Sequence, residues 1–222
     1  MFDAGAEKIF IVDETGRILN REQSLALIVY LLGRSDNFKT IAIPVNESNI
    51  VEEIAKKNNI SVIRTKTNLR SMMETATERS VNFFGEGQGG FIFPEFQPAF
   101  DAMCSTAKLL ELLSDVGVPV SDIVDSFPKK CMIIEKIPCP HMLKGIVIRS
   151  IISLEKNVKM ELIDGVKLYF GNDWTLITGH PDIQELNIYC ESENALRADQ
   201  LCQKYKSIIK EIIAKQLGKN QL

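Results

Sequence analysis

Two histidines and five cysteines, with no CxxC pair among them, leave this 222-residue chain without the ligand spacing of a zinc site. Cationic excess is also missing. Lysine and arginine number 26 against 29 aspartates and glutamates, a formal charge of -3 at pH 7. Such a balance cannot neutralise the phosphates of a polymer, so no nucleic acid is expected as a partner. Long apolar runs are absent as well: Leu25 to Leu32 is the longest, far short of the roughly 20 residues a membrane-spanning helix needs. No basic-then-apolar leader opens the sequence, so no membrane partner is expected and the expected location is cytoplasmic. An odd cysteine count without an export signal predicts free, buried thiols at Cys104, Cys131, Cys139, Cys190 and Cys202 rather than a disulfide framework. There is no internal repeat, and only the closing GKNQL reads as frayed.

What is present reads as a soluble globule, 45 % hydrophobic and 25 % charged, long enough for one large domain or two small ones. IFIVD (Ile9 to Asp13) reads as a buried strand followed by a turn at Gly16. Leu25, Leu27, Ile28, Leu31 and Leu32 recur at helical spacing and predict an amphipathic helix from Arg21 to Gly33. TIAIPV is continuous enough for a strand buried on both faces. Ser48 can cap the next helix, SVIRT makes a third strand, and a helix over 69–78, a short strand over 81–84 and a long helix over 100–113 follow. This alternation implies right-handed crossovers and a mixed, mainly parallel sheet sandwiched by helices, an α/β fold. Two prolines and a glycine in SDVGVPVSDIVDSFPKK break the periodicity, which sets the first unit's end near residue 117. Beyond it come a strand (131–137), a helix (140–154), the closely spaced strands VKLYF, WTLIT and LNIYC, and a final helix with an apolar stripe from Leu201 to Ile213. That order predicts a smaller α+β domain with an antiparallel four-stranded sheet.

One stretch carries chemistry. FFGEGQGGFIFPEFQPAFDAM sets Gly85, Gly87, Gly89 and Gly90 around the single carboxylate of Glu86. A carboxylate can accept two hydroxyl hydrogen bonds, and glycines let the backbone approach a sugar ring. The same run also reads as a plain glycine-rich turn between two strands.

The order of these motifs resembles the C-terminal half of the α-D-phosphohexomutases, the phosphoglucomutase/phosphomannomutase superfamily, over nearly the whole chain. Family members have four domains around a cleft, contributing a phosphoserine loop, a metal loop, a sugar-recognition loop and a phosphate loop. The resemblance implies that residues 1–12 are the remnant strand and metal-like loop of a preceding domain, 13–117 the third domain with its sugar loop, and 118–222 the C-terminal domain with a degenerate phosphate loop. Asp3, Gly5, Glu7 and Lys8 stand where the family carries Asp-x-Asp-x-Asp-Arg. Asp3 and Glu7 are therefore the implied metal ligands. The family's magnesium is expected to be weak or absent here, because Gly5 removes the middle carboxylate; the same residues also read as a turn leading into a strand. Gly85, Glu86, Gln88 and Gly89 occupy the family's Gly-Glu-x-Ser-Gly-His loop and are the implied sugar contacts.

In the last domain Asp164-Gly165, Trp174 and Tyr189 match at family spacing, but Thr178 and Asn187 replace the two arginines of the phosphate loop. His180 is the remaining candidate for the phosphate, beside the repelling Asp182 and Glu185. The implied partners are a hexose phosphate or nucleotide sugar and an upstream mutase or nucleotidyltransferase domain. With no phosphoserine in the chain, no catalytic residue is assigned. The expectation is a fragment that does not isomerise hexose phosphates alone. A looser similarity, to the mutase-like tail of mannose-1-phosphate guanylyltransferases, implies instead a non-catalytic sugar-phosphate-binding or oligomerisation module of a sugar nucleotidyltransferase. A scaffold that binds nothing is the third reading.

Overall fold

A computed structural model of the chain describes residues 1–35, 37–78, 81–114 and 116–219. The last three residues of the segment expected to fray lie outside the described residues. The chain divides into two compact units, Met1–Pro128 and Lys129–Leu222.

The first unit runs α1 (Arg21–Leu32), β1 (Thr40–Pro44), α2 (Ile50–Lys57), β2 (Ser61–Thr65), α3 (Leu69–Glu78), β3 (Phe83–Gly85), β4 (Phe91–Ile92), α4 (Ala102–Ser114) and α5 (Val120–Asp125). Its sheet has the order β2-β1-β3-β4. Strand β1 lies parallel to both β2 and β3, and only β4 runs antiparallel. The mixed, mainly parallel sheet with helices is therefore observed.

Helix α1 opens on a capping box in which Asn20 and Gln23 satisfy each other's backbone N–H groups. It is not amphipathic as its spacing suggests: Leu25, Ala26, Leu27, Ile28, Val29, Leu31 and Leu32 are all buried, so it is a core helix covered on every side. The N-cap of α2 is Asn49 rather than the expected Ser48, which stands one position earlier with its hydroxyl accepting from Ile50 N at 3.1 Å.

Two local expectations fail for physical reasons. IFIVD is not a strand of the sheet; it is held by isolated bridges, Phe2 to Ile9 and Val12 to Ile18, with Lys8 to Gly90 just before it. Only one face is buried, with Ile9 and Ile11 inside and Phe10 and Val12 exposed. The division of the chain falls at Pro128 rather than near 117. The prolines and glycine do end α4, but the chain then forms α5, which returns Ile123 and Val124 to the first core. Arg17 fastens it there, its guanidinium donating to Asp13 (2.8 Å), to Asp125 (2.6 Å) and to the carbonyl of Ser121 (3.3 Å).

The second unit runs β5 (Cys131–Pro138), α6 (His141–Leu154), β6 (Lys159–Glu161), β7 (Val166–Phe170), β8 (Asp173–Gly179), β9 (Glu185–Ser192) and α7 (Ala195–Lys219). The sheet order is β5-β9-β8-β7-β6, every pair antiparallel. It has five strands, not four. Strand β6 is a three-residue KME edge with no buried position, too short to leave an alternation in the sequence. One face of the sheet, with Leu168, Ile177, Leu186 and Ile188, packs under Leu143, Val147 and Ile151 of α6 and Leu201, Tyr205 and Ile209 of α7. Cys139, Cys190 and Cys202 are buried free thiols, whereas Cys104 and Cys131 are half-buried. Burial pushes the Cys190 thiol up to about 12. Among the described residues no helix is long and apolar enough to cross a membrane.

Candidate functional site

The turn between β3 and β4 brings Gly85, Glu86, Gln88 and Gly89 together. Its backbone closes through Glu86 N to Gly90 O (2.9 Å) and Gly89 N to Glu86 O (3.1 Å). Gly89 sits at φ +90°, and a Cβ there would lie 2.1 Å from the Ile9 carbonyl oxygen. Only glycine allows Ile9 N to donate to Gly89 O at 3.0 Å, which zips the N-terminal segment onto the turn. Gly87 leaves room for Arg21, whose Cγ would be 2.2 Å from a Cβ. Gly85 is wedged against Leu25 and the Phe83 ring, a packing reason for its lack of a side chain.

Glu86 is only 9 % exposed and would be costly to bury alone. Lys8 relieves it: the ammonium donates to Glu86 Oε1 at 2.6 Å and to Gln88 Oε1 at 3.3 Å, and lies 5.9 Å from the Phe100 ring centroid. Gln88 itself is exposed. Beside the turn lies a cavity of about 380 Å³ whose walls include Lys8, Phe10, Leu19, Arg21 and Gln88. Arg21 is oriented by Glu47, which accepts from Nε at 3.2 Å and from Nη2. Lys8, Arg21 and Glu47 adjoin this candidate site, and the sequence reading did not single them out as contacts. For Lys8 a signal existed, because it occupies the place of the arginine closing the family's metal-loop pattern.

The same segment carries the expected metal ligands. Asp3 Oδ1 accepts from Glu7 N (2.8 Å) and Lys8 N (2.9 Å), and the Lys8 amide leads in holding the Asp3 carboxyl below its usual range. Asp3 thus closes its own loop, and the exposed Glu7 is the one other nearby carboxylate that the loop offers. Among the described residues no three histidines, cysteines or acids gather in a group that could hold a metal ion. Magnesium needs near-octahedral oxygen ligation, usually with several waters and one or two carboxylates. A backbone-bound Asp3, an outlying Glu7 and an ammonium at Lys8 do not make that donor set, so the residues do not fit the ion.

His180 belongs to the second unit, on the loop between β8 and β9. Its Nδ1 accepts from Asp182 N at 3.2 Å and Ile183 N at 3.1 Å, and its backbone N donates to Glu185 O at 3.1 Å. Lys144 of α6 reaches into the loop, donating to the carbonyls of His180 and Ile183, the latter at 2.6 Å. Thr178 and Asn187 are direct cross-strand partners. The oxygens Thr178 Oγ1, Asn187 Oδ1 and Glu185 Oε2 are buried without a hydrogen-bond partner among the described residues. Where guanidinium forks would grip an anion, this strand pair therefore presents neutral side chains and acceptors.

Residues 20–131 match the family described as phosphoglucomutase/phosphomannomutase, alpha/beta/alpha domain III. A phosphoglucomutase/phosphomannomutase of Thermococcus kodakarensis is 27% identical over 197 residues, covering 88% of this chain and 43% of its own. Among solved structures, a phosphoglucomutase/phosphomannomutase family protein from Burkholderia thailandensis superposes with a TM-score of 0.80 at 15% identity, covering 95% of this chain and 46% of that one. An Aspergillus fumigatus N-acetylphosphoglucosamine mutase, solved with GlcNAc-6P and magnesium, superposes at 0.71 with 12% identity, covering 96% of this chain and 48% of that one. The chain spans about half the length of the curated relatives it matches.

Proposed function

Because the chain belongs to the phosphoglucomutase/phosphomannomutase family, we propose that it serves hexose-phosphate metabolism by holding the sugar ring of a hexose phosphate at the β3–β4 turn, without isomerising it alone. The carrying observation is the cluster in which the Lys8 ammonium lies 2.6 Å from Glu86 Oε1 and 3.3 Å from Gln88 Oε1 over glycine backbone. Vicinal hydroxyls can donate to the carboxylate and the amide oxygen while accepting from the ammonium, and such paired contacts discriminate a sugar from a group lacking them. Turnover would need a nucleophile carrying the phosphoryl group and a cationic clamp on its transfer. Among the described residues no such nucleophile stands in the cluster, its cations Lys8 and Arg21 are engaged by Glu86 and Glu47, and the acids of the Asp3 loop do not fit a metal.

Calorimetric titration with glucose 1-phosphate, mannose 1-phosphate and GDP-mannose tests the reading. Saturable heat from at least one ligand, weakened tenfold or more in Glu86→Ala and less in Gln88→Ala, is expected. A coupled isomerisation assay on the same protein is expected to stay at background. Equal affinity in wild type and Glu86→Ala, or no heat from any ligand, would remove the sugar site. Sustained isomerisation would remove the non-catalytic part.

A further inference from the structure

Charge is divided unevenly along the chain. Helices α6 and α7 together hold eight lysines and arginines against two acids, Asp199 and Glu211, in a protein whose formal charge is -3. Four of those cations are engaged. Arg197 lies 3.4 Å from Asp173, Lys204 2.6 Å from Glu155 and Lys206 3.0 Å from Glu135, and Lys144 is held by carbonyls of the β8–β9 loop. Three others, Arg149 of α6 and Lys210 and Lys215 of α7, are exposed and have no ion-pair partner among the described residues.

Two of these three, Arg149 and Lys215, line one groove of about 500 Å³ between α6 and α7, one cation from each helix. Its apolar surface comes from Ile146 and Ile212, which pack on the unit's core, and from Leu154, which is 64 % exposed. The stretch of α6 from Ile146 to Leu154 amounts to about 12 Å of helix, a little over two turns. An apolar concavity of that length with a cation on each wall complements a helix that offers apolar side chains at i and i+4 and carboxylates beside them. Burial of the apolar anchors would hold such a helix, and the guanidinium fork of Arg149 can take a carboxylate through two parallel hydrogen bonds. A bilayer is a poorer match, because an interfacial helix meets it with an apolar face turned outward rather than with a groove. Glu211, one turn before Lys215, opposes an anion at the α7 wall, whereas Glu155, just past α6, is taken up by Lys204 and Tyr205.

From this geometry we infer that the groove between α6 and α7 is a docking site for an acidic amphipathic helix of another polypeptide, its apolar side chains seated on Ile146, Leu154 and Ile212 and its carboxylates met by Arg149 and Lys215. A second copy of this chain fits less well. Among its described helices α4 comes nearest, with Met103 and Leu110 exposed, but its exposed acid, Glu111, lies 3.0 Å from Lys108. The inference is independent of the sugar-ring reading, which rests on the first unit. It uses α6 from Ile146 onward, whereas the β8–β9 loop is reached from the first turn of that helix, by Lys144.

The probe is a fluorescein-labelled peptide of about 18 residues, long enough to hold a helix in water, with leucines along one stripe and glutamates flanking them. One control peptide carries lysine in place of every glutamate, and another has the same composition in scrambled order. Fluorescence anisotropy against the full chain is expected to show saturable binding of the acidic helix, with both controls at least tenfold weaker. Arg149→Ala combined with Lys215→Ala is expected to weaken binding about tenfold or more. Ser153→Trp, which fills the groove without altering charge, should do the same. Lys210→Ala removes an unpaired cation that does not line the groove and should leave the affinity within about twofold, and Glu211→Gln should tighten it. All of these positions are exposed, so the variants are expected to fold, and circular dichroism checks that they do. Equal affinity for the scrambled peptide, or a loss in Lys210→Ala matching that of Lys215→Ala, would reduce the attraction to diffuse charge and overturn the inference. So would either rival occupant: sedimentation with phosphatidylserine-containing vesicles in place of peptide binding, or a concentration-dependent dimer that Ser153→Trp dissolves.

Discussion

The two polar loops treat their charged groups in opposite ways. At the β3–β4 turn, Glu86 is partnered from outside its own turn, by Lys8, and its neighbour Gln88 stays exposed. At the β8–β9 loop, donors and acceptors close on one another through His180, and the reaching cation, Lys144, is spent on loop carbonyls. A cluster assembled from distant segments can keep hydrogen-bonding capacity for a ligand. A loop that satisfies itself must first be undone.

The sharpest way to break the first arrangement is Gly89→Ala. A Cβ 2.1 Å from the Ile9 carbonyl, on a backbone at φ +90°, forces the N-terminal segment off the turn. A loss of about 2 to 4 kcal/mol is expected in denaturant unfolding. Removing the Lys8 partner by Glu86→Ala should cost less, about 1 to 3 kcal/mol, since the ammonium is only part-buried and can turn to water.

Acid tests the same segment. The Thr15 hydroxyl, with the backbone and guanidinium of Arg17, holds the Asp13 carboxyl down to about 2. A carboxyl lowered on folding stabilises the fold above its unfolded value and loses that contribution as the pH falls through the folded value. Melting temperatures recorded from pH 7 down should therefore drop between about 4 and about 2. Asp13→Asn should melt lower at pH 7 and drop less across that window.

The smallest effect is expected in the second loop. Lys144→Met should cost under about 1 kcal/mol, because its bonds to two loop carbonyls are made close to solvent. Faster hydrogen exchange at the Ile183 and Glu185 amides should accompany it. A larger global loss would show that this loop is structural rather than self-contained.

Much of the architecture was legible in the sequence, because period and composition act locally. Helix α3 and strand β7 fall where their periodicity placed them, and the α/β-then-α+β order holds. What escaped depended on distant partners. Nothing in IFIVD reveals that its neighbour is Gly89, and the proline-rich break hid α5 because its anchor, Arg17, lies more than a hundred positions earlier. The glycine turn was legible as a candidate site through Glu86 and its glycines. Lys8 was visible only as the closing residue of the metal-like loop, and Arg21 not at all, since only folding brings them beside the turn. His180 was identified by type, but its role as acceptor for its own loop is a matter of geometry that no residue pattern encodes.

Strand β5 has one neighbour in its sheet, and that neighbour is β9, with Cys131 paired to Ser192 and Pro138 to Glu185. During biosynthesis the first of these strands leaves the ribosome with nothing to pair with until β9 follows, while the β6–β7–β8 meander can already zip up by local hairpins. The second unit should therefore close late and all at once, as expected where loop closure precedes reward. A nascent chain halted before Ser192 would leave the edge of β5 open to a chaperone or to another unfinished copy.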